Sequence, residues 1–262
     1  MRVIWEKILE LEKSGKSGTL VTVVKTEGAS PQVAGAKMLV TSDGEQFGTI
    51  GGGTVEYKAK IIALQLISEP QPLLQTFDLN LEGETPTGMI CGGKMTLFFE
   101  PIRQAETVLI FGAGHIGSRL CKLAKFAGFR VIVVDDRKEY ASEQNLPDAD
   151  VIINEPFHEA IGKIHFGPHL YIAIVSRAHA IDLEVLKKCI SKEYKYIGMI
   201  GSRQKASEVF KALRESGISE ELISRVHSPI GLPIGGQSPE EIAISIIAEM
   251  IKIRNMNESK AE

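Results

Sequence analysis

Apolar positions along the first hundred residues follow two periods in turn. Val3, Ile4, Ile8 and Leu11 recur at helical spacing and stop at the glycine and serine cluster from Ser14 to Gly18, which predicts a short amphipathic helix. The β-branched runs LVTVVK and AKMLVT, the turn Ser42-Asp43-Gly44 and the run QFGTI then predict strands that include a hairpin. After Gly51-Gly52-Gly53, the segment TVEYKAKIIALQLI reads as a helix, with Thr54 as its cap because a threonine hydroxyl can accept from first-turn amides. The runs LLQTF and MTLFFE complete an α+β unit over residues 1–103, and Pro101 with the polar RQAE makes a linker.

From Thr107 the pattern becomes one of continuous apolar runs, TVLIF, RVIVVD, DVIIN, YIAIVS and YIGMIG, separated by helical stretches. Strands covered on both faces read in this way, and their alternation with helices implies a parallel sheet with right-handed crossovers. Residues 107–262 are therefore predicted to form a Rossmann-like domain with a mostly parallel sheet, and the chain as a whole belongs to the α/β class. Near its end, Ser238, Pro239 and Glu241 spell out a capping box with proline at the first helical position.

Composition narrows the functional classes. A chain of 262 residues, 44% hydrophobic and 24% charged, can bury a core in each of two modest domains. Its 33 acidic and 30 basic residues give a net charge of -3 without a basic block, so neither a nucleic acid nor a membrane surface is an expected partner. Cys91, Cys121 and Cys189 are odd in number and lack CxxC spacing, which argues against a disulfide framework and a cysteine-only zinc site. Charges interrupt the N-terminal segment and no later run is long enough to span a bilayer, so a cytoplasmic protein is expected.

The stretch VLIFGAGHIGSRLCKLAKFAGFRVIVVDDR carries the densest chemistry. Gly112, Gly114 and Gly117 form a GxGxxG loop between a strand and a helix, and Asp135 closes the next strand where an acidic residue can meet a ribose hydroxyl. Such a loop lets a phosphate approach exposed amides at the positive end of a helix. Arg137 leaves a 2′-phosphate open as the alternative. His115 lies inside the loop and His179 follows the strand YIAIVS, so both imidazoles are expected at one crevice, where they could bind a ligand, coordinate a metal or relay protons; either could instead cap a loop. Ser202 and Arg203 mark a further helix start that favours an anion.

In the first domain, Cys91 sits between Gly88 and Gly92-Gly93 with Lys94 close by. Its thiolate could ligate a metal or accept sulfur, or the side chain could simply be a small buried hydrophobe. Glu56, three residues past the Gly51 to Gly53 run, is either a site carboxylate or a favourable charge in a first helical turn.

Taken in order, the segments GTIGGGTVE, MICGGKMTLFFEP, FGAGHIG, VVDDR, YIGMIGSRQK and PIGLPIGGQSPEEIAISI resemble the XdhC/CoxI family of xanthine dehydrogenase accessory proteins along nearly the whole chain. The resemblance implies an N-terminal XdhC/CoxI domain and a C-terminal Rossmann domain. It also implies that the protein binds the molybdenum cofactor, as molybdopterin or its dinucleotide form, protects it during sulfuration and passes it to a molybdenum hydroxylase apoenzyme. Gly52, Gly53, Glu56 and Cys91 in the first domain are then candidate cofactor contacts, with Cys91 a candidate ligand to molybdenum. Gly112, Gly114, His115, Gly117, Asp135, His179, Ser202 and Arg203 are the candidates in the second. A cysteine desulfurase is a further expected partner, and an accessory protein with an exposed cofactor site is expected to be a homodimer. Two positions depart from the family pattern: Gln32, where arginine often follows the proline, and Thr54, where the CoxI-like branch has cysteine. An NAD(P)-dependent oxidoreductase is the competing reading and a nucleotide-sensing regulator a third, although no constellation that sets a catalytic acid or base against a small substrate can be named in the first half.

Overall fold

In the computed structural model, which describes residues 2–68, 71–79, 92–102 and 104–256, the chain divides into two units, Met1–Gln104 and Ala105–Glu262. The first begins with α1 (Arg2–Ser14), β1 (Gly18–Glu27), β2 (Lys37–Thr41), β3 (Gln46–Gly48) and α2 (Gly53–Ser68), and ends with β4 (Leu73–Asp78) and β5 (Lys94–Ile102). Its strands form an antiparallel sheet in the order β3-β2-β1-β5-β4.

Side-chain alternation explains how both faces of this sheet are covered. Val21 and Val23 of β1 and Met38 and Val40 of β2 point to one face, where Val55, Ala59 and Ala63 of α2 pack. Leu20 and Leu39, one residue out of phase, meet Ile4 and Leu11 of α1 on the other. Val3 falls off the packed stripe of α1 and is exposed. Thr54 does not cap α2: the helix already begins at Gly53, and the preceding amides are taken up by Glu56.

The second unit contains β6 (Thr107–Phe111), α3 (His115–Phe126), β7 (Arg130–Val134), β8 (Val151–Ile153), α4 (Phe157–Ile161), β9 (Leu170–Ile174), α5 (His179–Cys189), β10 (Tyr196–Met199), α6 (Arg203–Glu215), α7 (Glu220–Ser224), β11 (Val226–His227) and α8 (Pro239–Asn255). Its sheet is parallel throughout, in the order β11-β10-β9-β6-β7-β8. The continuous apolar runs are buried on both sides. Val108 and Ile110 of β6 pack beneath α3 and α8 with Leu120, Cys121 and Ile246, while Leu109 and Phe111 face Val185, Leu186 and Leu213 from α5 and α6. The short β11 and α7 carry too few residues to leave a periodic signal. At α8 the Ser238–Glu241 capping box is formed, with Pro239 opening the helix.

Successive strands move outward from β6 through β7 to β8 on one side and from β9 through β10 to β11 on the other. The chain therefore reverses between β6 and β9, and a crevice opens beyond the carboxyl ends of these two neighbours.

Candidate functional site

The glycine loop that leaves β6 is shaped by two of its glycines and left open by the third. Gly112 has φ +112°, and a Cβ there would lie 2.6 Å from the Val175 carbonyl oxygen and 2.9 Å from the Ser176 Cα, so a side chain would push the loop off the end of β9. A Cβ on Gly117 would fall 1.8 Å from the Gly112 carbonyl oxygen, which makes glycine a condition of α3 packing on the loop. At Gly114, the N-cap of α3, a Cβ would meet nothing within 4 Å. The fold does not need that glycine for packing, and its bare backbone is accessible to a ligand.

Asp135 turns inward rather than toward the crevice. It is 1% exposed; one carboxylate oxygen accepts the Ala113 amide at 2.8 Å, and the other accepts the Arg137 amide at 3.0 Å. The Arg137 guanidinium donates to both oxygens, each at 2.9 Å. Both Asp135 oxygens are engaged by the loop amide and the arginine, which gives this side chain a supporting role toward the glycine loop. Asn145 holds Ala113 as well, its side-chain amide donating to the Ala113 carbonyl at 3.0 Å.

Two further ion pairs at the strand ends are not among the groups expected from the sequence. Asp182, fully buried in the first turn of α5, accepts from the Ser176 hydroxyl at 2.5 Å and from Lys205 of α6 at 2.7 Å. Lys205 is itself 12% exposed, so this is a buried ion pair tying β9, α5 and α6 together. Beyond β7 and β9, Asp136 and Arg177 form a bidentate pair, and the guanidinium holds the Asp136 carboxyl below its usual value. A polar residue inside an amphipathic helix, such as Asp182, is a signal sequence reading can use. The Asp136–Arg177 pair joins residues 41 apart and has no local signature.

The predicted histidines are not drawn into a single pair. His115 is exposed in the first turn of α3 and lies near Glu240 of α8. His179, also exposed, borders a pocket of about 300 Å³ with Gly201, Ser202, Gln204, Lys205 and Glu208. The Ser202 hydroxyl caps α6 by accepting from the Lys205 amide at 3.2 Å, and Arg203 follows it, exposed. Among the described residues no group of three or more His, Cys, Asp or Glu side chains is placed to hold a metal ion. Cys121 and Cys189 are buried, and burial pushes both thiols up to about 12, which leaves them protonated and inert.

In the first unit, three loops meet around the predicted glycines. A Cβ on Gly51 would stand 2.6 Å from Pro31 Cγ, and one on Gly93 would stand 2.2 Å from the Ala29 carbonyl oxygen. The loop of residues 29–31 is therefore in close contact with Gly51 through Pro31 and with Gly93 through the Ala29 backbone. Glu56 serves this cluster: its carboxylate accepts from the Ile50 and Gly52 amides, each at 3.0 Å, from Gln46 at 2.8 Å, and from the Thr49 hydroxyl. Burial alone would raise its pKa, but the hydrogen bonds outweigh burial and hold the carboxyl below its ordinary value. Glu56 thus holds the loop that presents Gly52 and Gly53. Cys91 lies outside the described residues, next in sequence to Gly92.

The molecule thus joins a small α+β unit to a parallel sheet with its switch point at a glycine loop. Residues 108–250 match the XdhC Rossmann domain, and residues 11–78 match the XdhC and CoxI family. The chain belongs to the XdhC family. It is 32% identical over 253 residues to "Uncharacterized protein YqeB" of Escherichia coli K12, covering 96% of this chain and 46% of that protein. It is 30% identical over 158 residues to a probable xanthine dehydrogenase subunit of Bacillus subtilis 168, covering 60% of this chain and 46% of that protein. To "Molybdenum cofactor insertion chaperone PaoD" of Escherichia coli K12 it is 23% identical over 284 residues, covering 97% and 88%. The chain thus spans about half the length of the first two relatives, 46% of each. Among the described residues no helix is long and apolar enough to cross a membrane.

Proposed function

We propose that this protein binds the molybdenum cofactor and delivers it to a molybdenum hydroxylase apoenzyme such as xanthine dehydrogenase. The observation that carries the reading is the open backbone at Gly114, in a crevice whose strand ends also bring Arg137 and Arg177. A bare amide cradle beside guanidinium groups suits the phosphate of molybdopterin or the pyrophosphate of its dinucleotide form. Family membership, and a relative along nearly the whole chain whose name is that of a molybdenum cofactor insertion chaperone, support the same ligand.

On this reading Gly112 to His115 and the neighbouring arginines hold the phosphate end, and His179 and Ser202 border the rest of the crevice. In the first unit, taken by itself, the loop of Gly52 and Gly53, kept in shape by Glu56, and the thiol of Cys91 remain candidate cofactor contacts. The bound cofactor supplies the molybdenum centre on which the client enzyme's chemistry depends. This chain's own residues bind and orient it and shield it from water. A cysteine desulfurase as sulfur donor, a homodimeric state, a cytoplasmic location and separable domains at 1–103 and 107–262 belong to the same proposal.

The test is to purify the full chain, denature it and separate the released small molecules. Oxidised pterin, together with activation of a cofactor-free hydroxylase by the untreated protein, is the expected result. Release of a nicotinamide nucleotide without pterin, together with turnover of NAD(P)H, would replace this reading with that of an oxidoreductase.

A further inference from the structure

β7 and β9 flank β6, so their carboxyl ends stand two strand spacings apart, roughly 10 Å. The residues just past them, Asp136 and Arg177, nevertheless meet: the two terminal nitrogens of Arg177 donate to the two oxygens of Asp136, the second at 2.9 Å. This pair bridges the strand ends on either side of β6, where the glycine loop emerges.

The bridge differs in kind from the Asp135–Arg137 pair next to it. Asp135 is 1% exposed and holds the Ala113 amide as well as its arginine, so it cannot leave without releasing the loop. Side chains of Arg177 and Asp136 are 42% and 30% exposed, and among the described residues the Arg177 guanidinium hydrogen-bonds Asp136 alone. A half-solvated pair of this kind stays accessible to solvent anions and is open to exchange. Two of the five guanidinium N–H donors are used, which leaves three for another acceptor. Arg137 is also close enough to Arg177 to repel it, a repulsion now offset by Asp136 and Asp135. An arriving anion would relieve it further.

We propose that Arg177 is the phosphate-recognising side chain of the crevice, and that Asp136 holds it over the glycine loop until a phosphate or pyrophosphate group of the ligand takes the carboxylate's place. A phosphate oxygen pair matches the same planar fork that a carboxylate does and carries more charge. Ligands without a phosphate leave the bridge closed, so the exchange selects for phosphate-bearing molecules. The proposal deepens the cofactor-binding reading above and rests on it for the crevice being the ligand site.

Calorimetric titration of the full chain with inorganic pyrophosphate and with ADP, at low ionic strength, tests it. Asp136→Asn frees Arg177 and should tighten binding several-fold, whereas Arg177→Gln should weaken it by about tenfold or more. Arg177→Lys keeps the charge but loses the fork and should fall between wild type and Arg177→Gln. The double variant should bind as weakly as Arg177→Gln alone. Thermal melts establish that each variant folds. Binding by a folded Asp136→Asn variant that is no tighter than wild type, binding unaffected by Arg177→Gln, or failure of every variant to bind either probe would overturn the proposal. Pterin content separates the two readings. Pterin retained in full by Arg177→Gln removes the role of Arg177 alone, whereas pyrophosphate binding that tracks Arg177 in a chain carrying no pterin removes the cofactor reading alone.

Discussion

The Asp135 carboxylate accepts the amide hydrogen of Ala113 at 2.8 Å and thereby holds the glycine loop to the end of β7. This single contact changes what substitution at Asp135 should do. Asp135→Asn keeps the shape but weakens the charge-assisted bonds to Arg137 and presents an amide that must orient its one oxygen toward Ala113. Removal of hydrogen bonds to a buried charged group costs about 2 kcal/mol, so the melting temperature should fall by several degrees, roughly 2–4 °C for each kcal/mol in a chain of this size. Urea denaturation checks the value. Unchanged stability with lost affinity for a nucleotide would return Asp135 to the ribose contact first expected of it.

The buried Asp182–Lys205 pair makes an independent prediction. Removing one member leaves a charge without its partner in a site that is 0% exposed at Asp182 and 12% exposed at Lys205. Lys205→Ala should therefore destabilise the second unit by roughly 3 kcal/mol. Replacing both members with apolar residues, as in Asp182→Leu with Lys205→Met, should cost less than the single change, even though the Ser176 hydroxyl loses its acceptor. Melts of the three proteins decide this, and a double variant less stable than Lys205→Ala would count against the charge account.

Glu56 should give the first unit a pH dependence. Its carboxyl lies below its ordinary value in the folded protein because Thr49, the Ile50 and Gly52 amides and Gln46 outweigh the effect of burial. A depressed carboxyl contributes stability that is present above its unfolded value, about 4.3, and is lost as pH falls through the lower folded value. Glu56→Gln should therefore destabilise the protein by about 1–2 kcal/mol near neutrality, with the difference from wild type shrinking below about pH 4. Equal gaps at pH 7 and pH 3.5 would show that shape, not charge, is what the loop requires.

These side chains also mark the limit of what the sequence could tell. The strands from TVLIF to YIGMIG were legible because burial on both faces forces an unbroken apolar run, and the glycine loop was legible because its three positions carry distinct backbone demands. The α1 and α2 helices and the strands of the first unit announced themselves by period. The partners of the strand-end residues did not. Whether Asp135 faces a ribose or the Ala113 amide depends on how β7 sits beside β6, and the Asp136–Arg177 bridge depends on the order of three strands. Thr54 failed as a cap for a related reason: Gly51, Gly52 and Gly53 all have positive φ angles, and α2 already begins at Gly53, two residues before a helix capped by Thr54 would start.

Cys91 remains the sharpest test of the proposed function. Burial pushes the thiols of Cys121 and Cys189 up to about 12, so neither presents a thiolate at physiological pH. A thiol reagent applied to the native protein at pH 8 should leave both untouched until denaturant is added, and any prompt labelling should map to Cys91. If the Cys91 thiolate ligates molybdenum or carries the sulfur destined for it, Cys91→Ser should keep the wild-type melting temperature and lose the ability to activate a cofactor-free hydroxylase. The serine hydroxyl is a poor ligand for a soft metal and cannot form a persulfide. Pterin content should fall as well if the thiolate holds the metal, but persist if it serves only sulfur transfer. Measuring bound pterin and client turnover side by side therefore separates the two roles, and full client activation by Cys91→Ser would leave the thiol with neither.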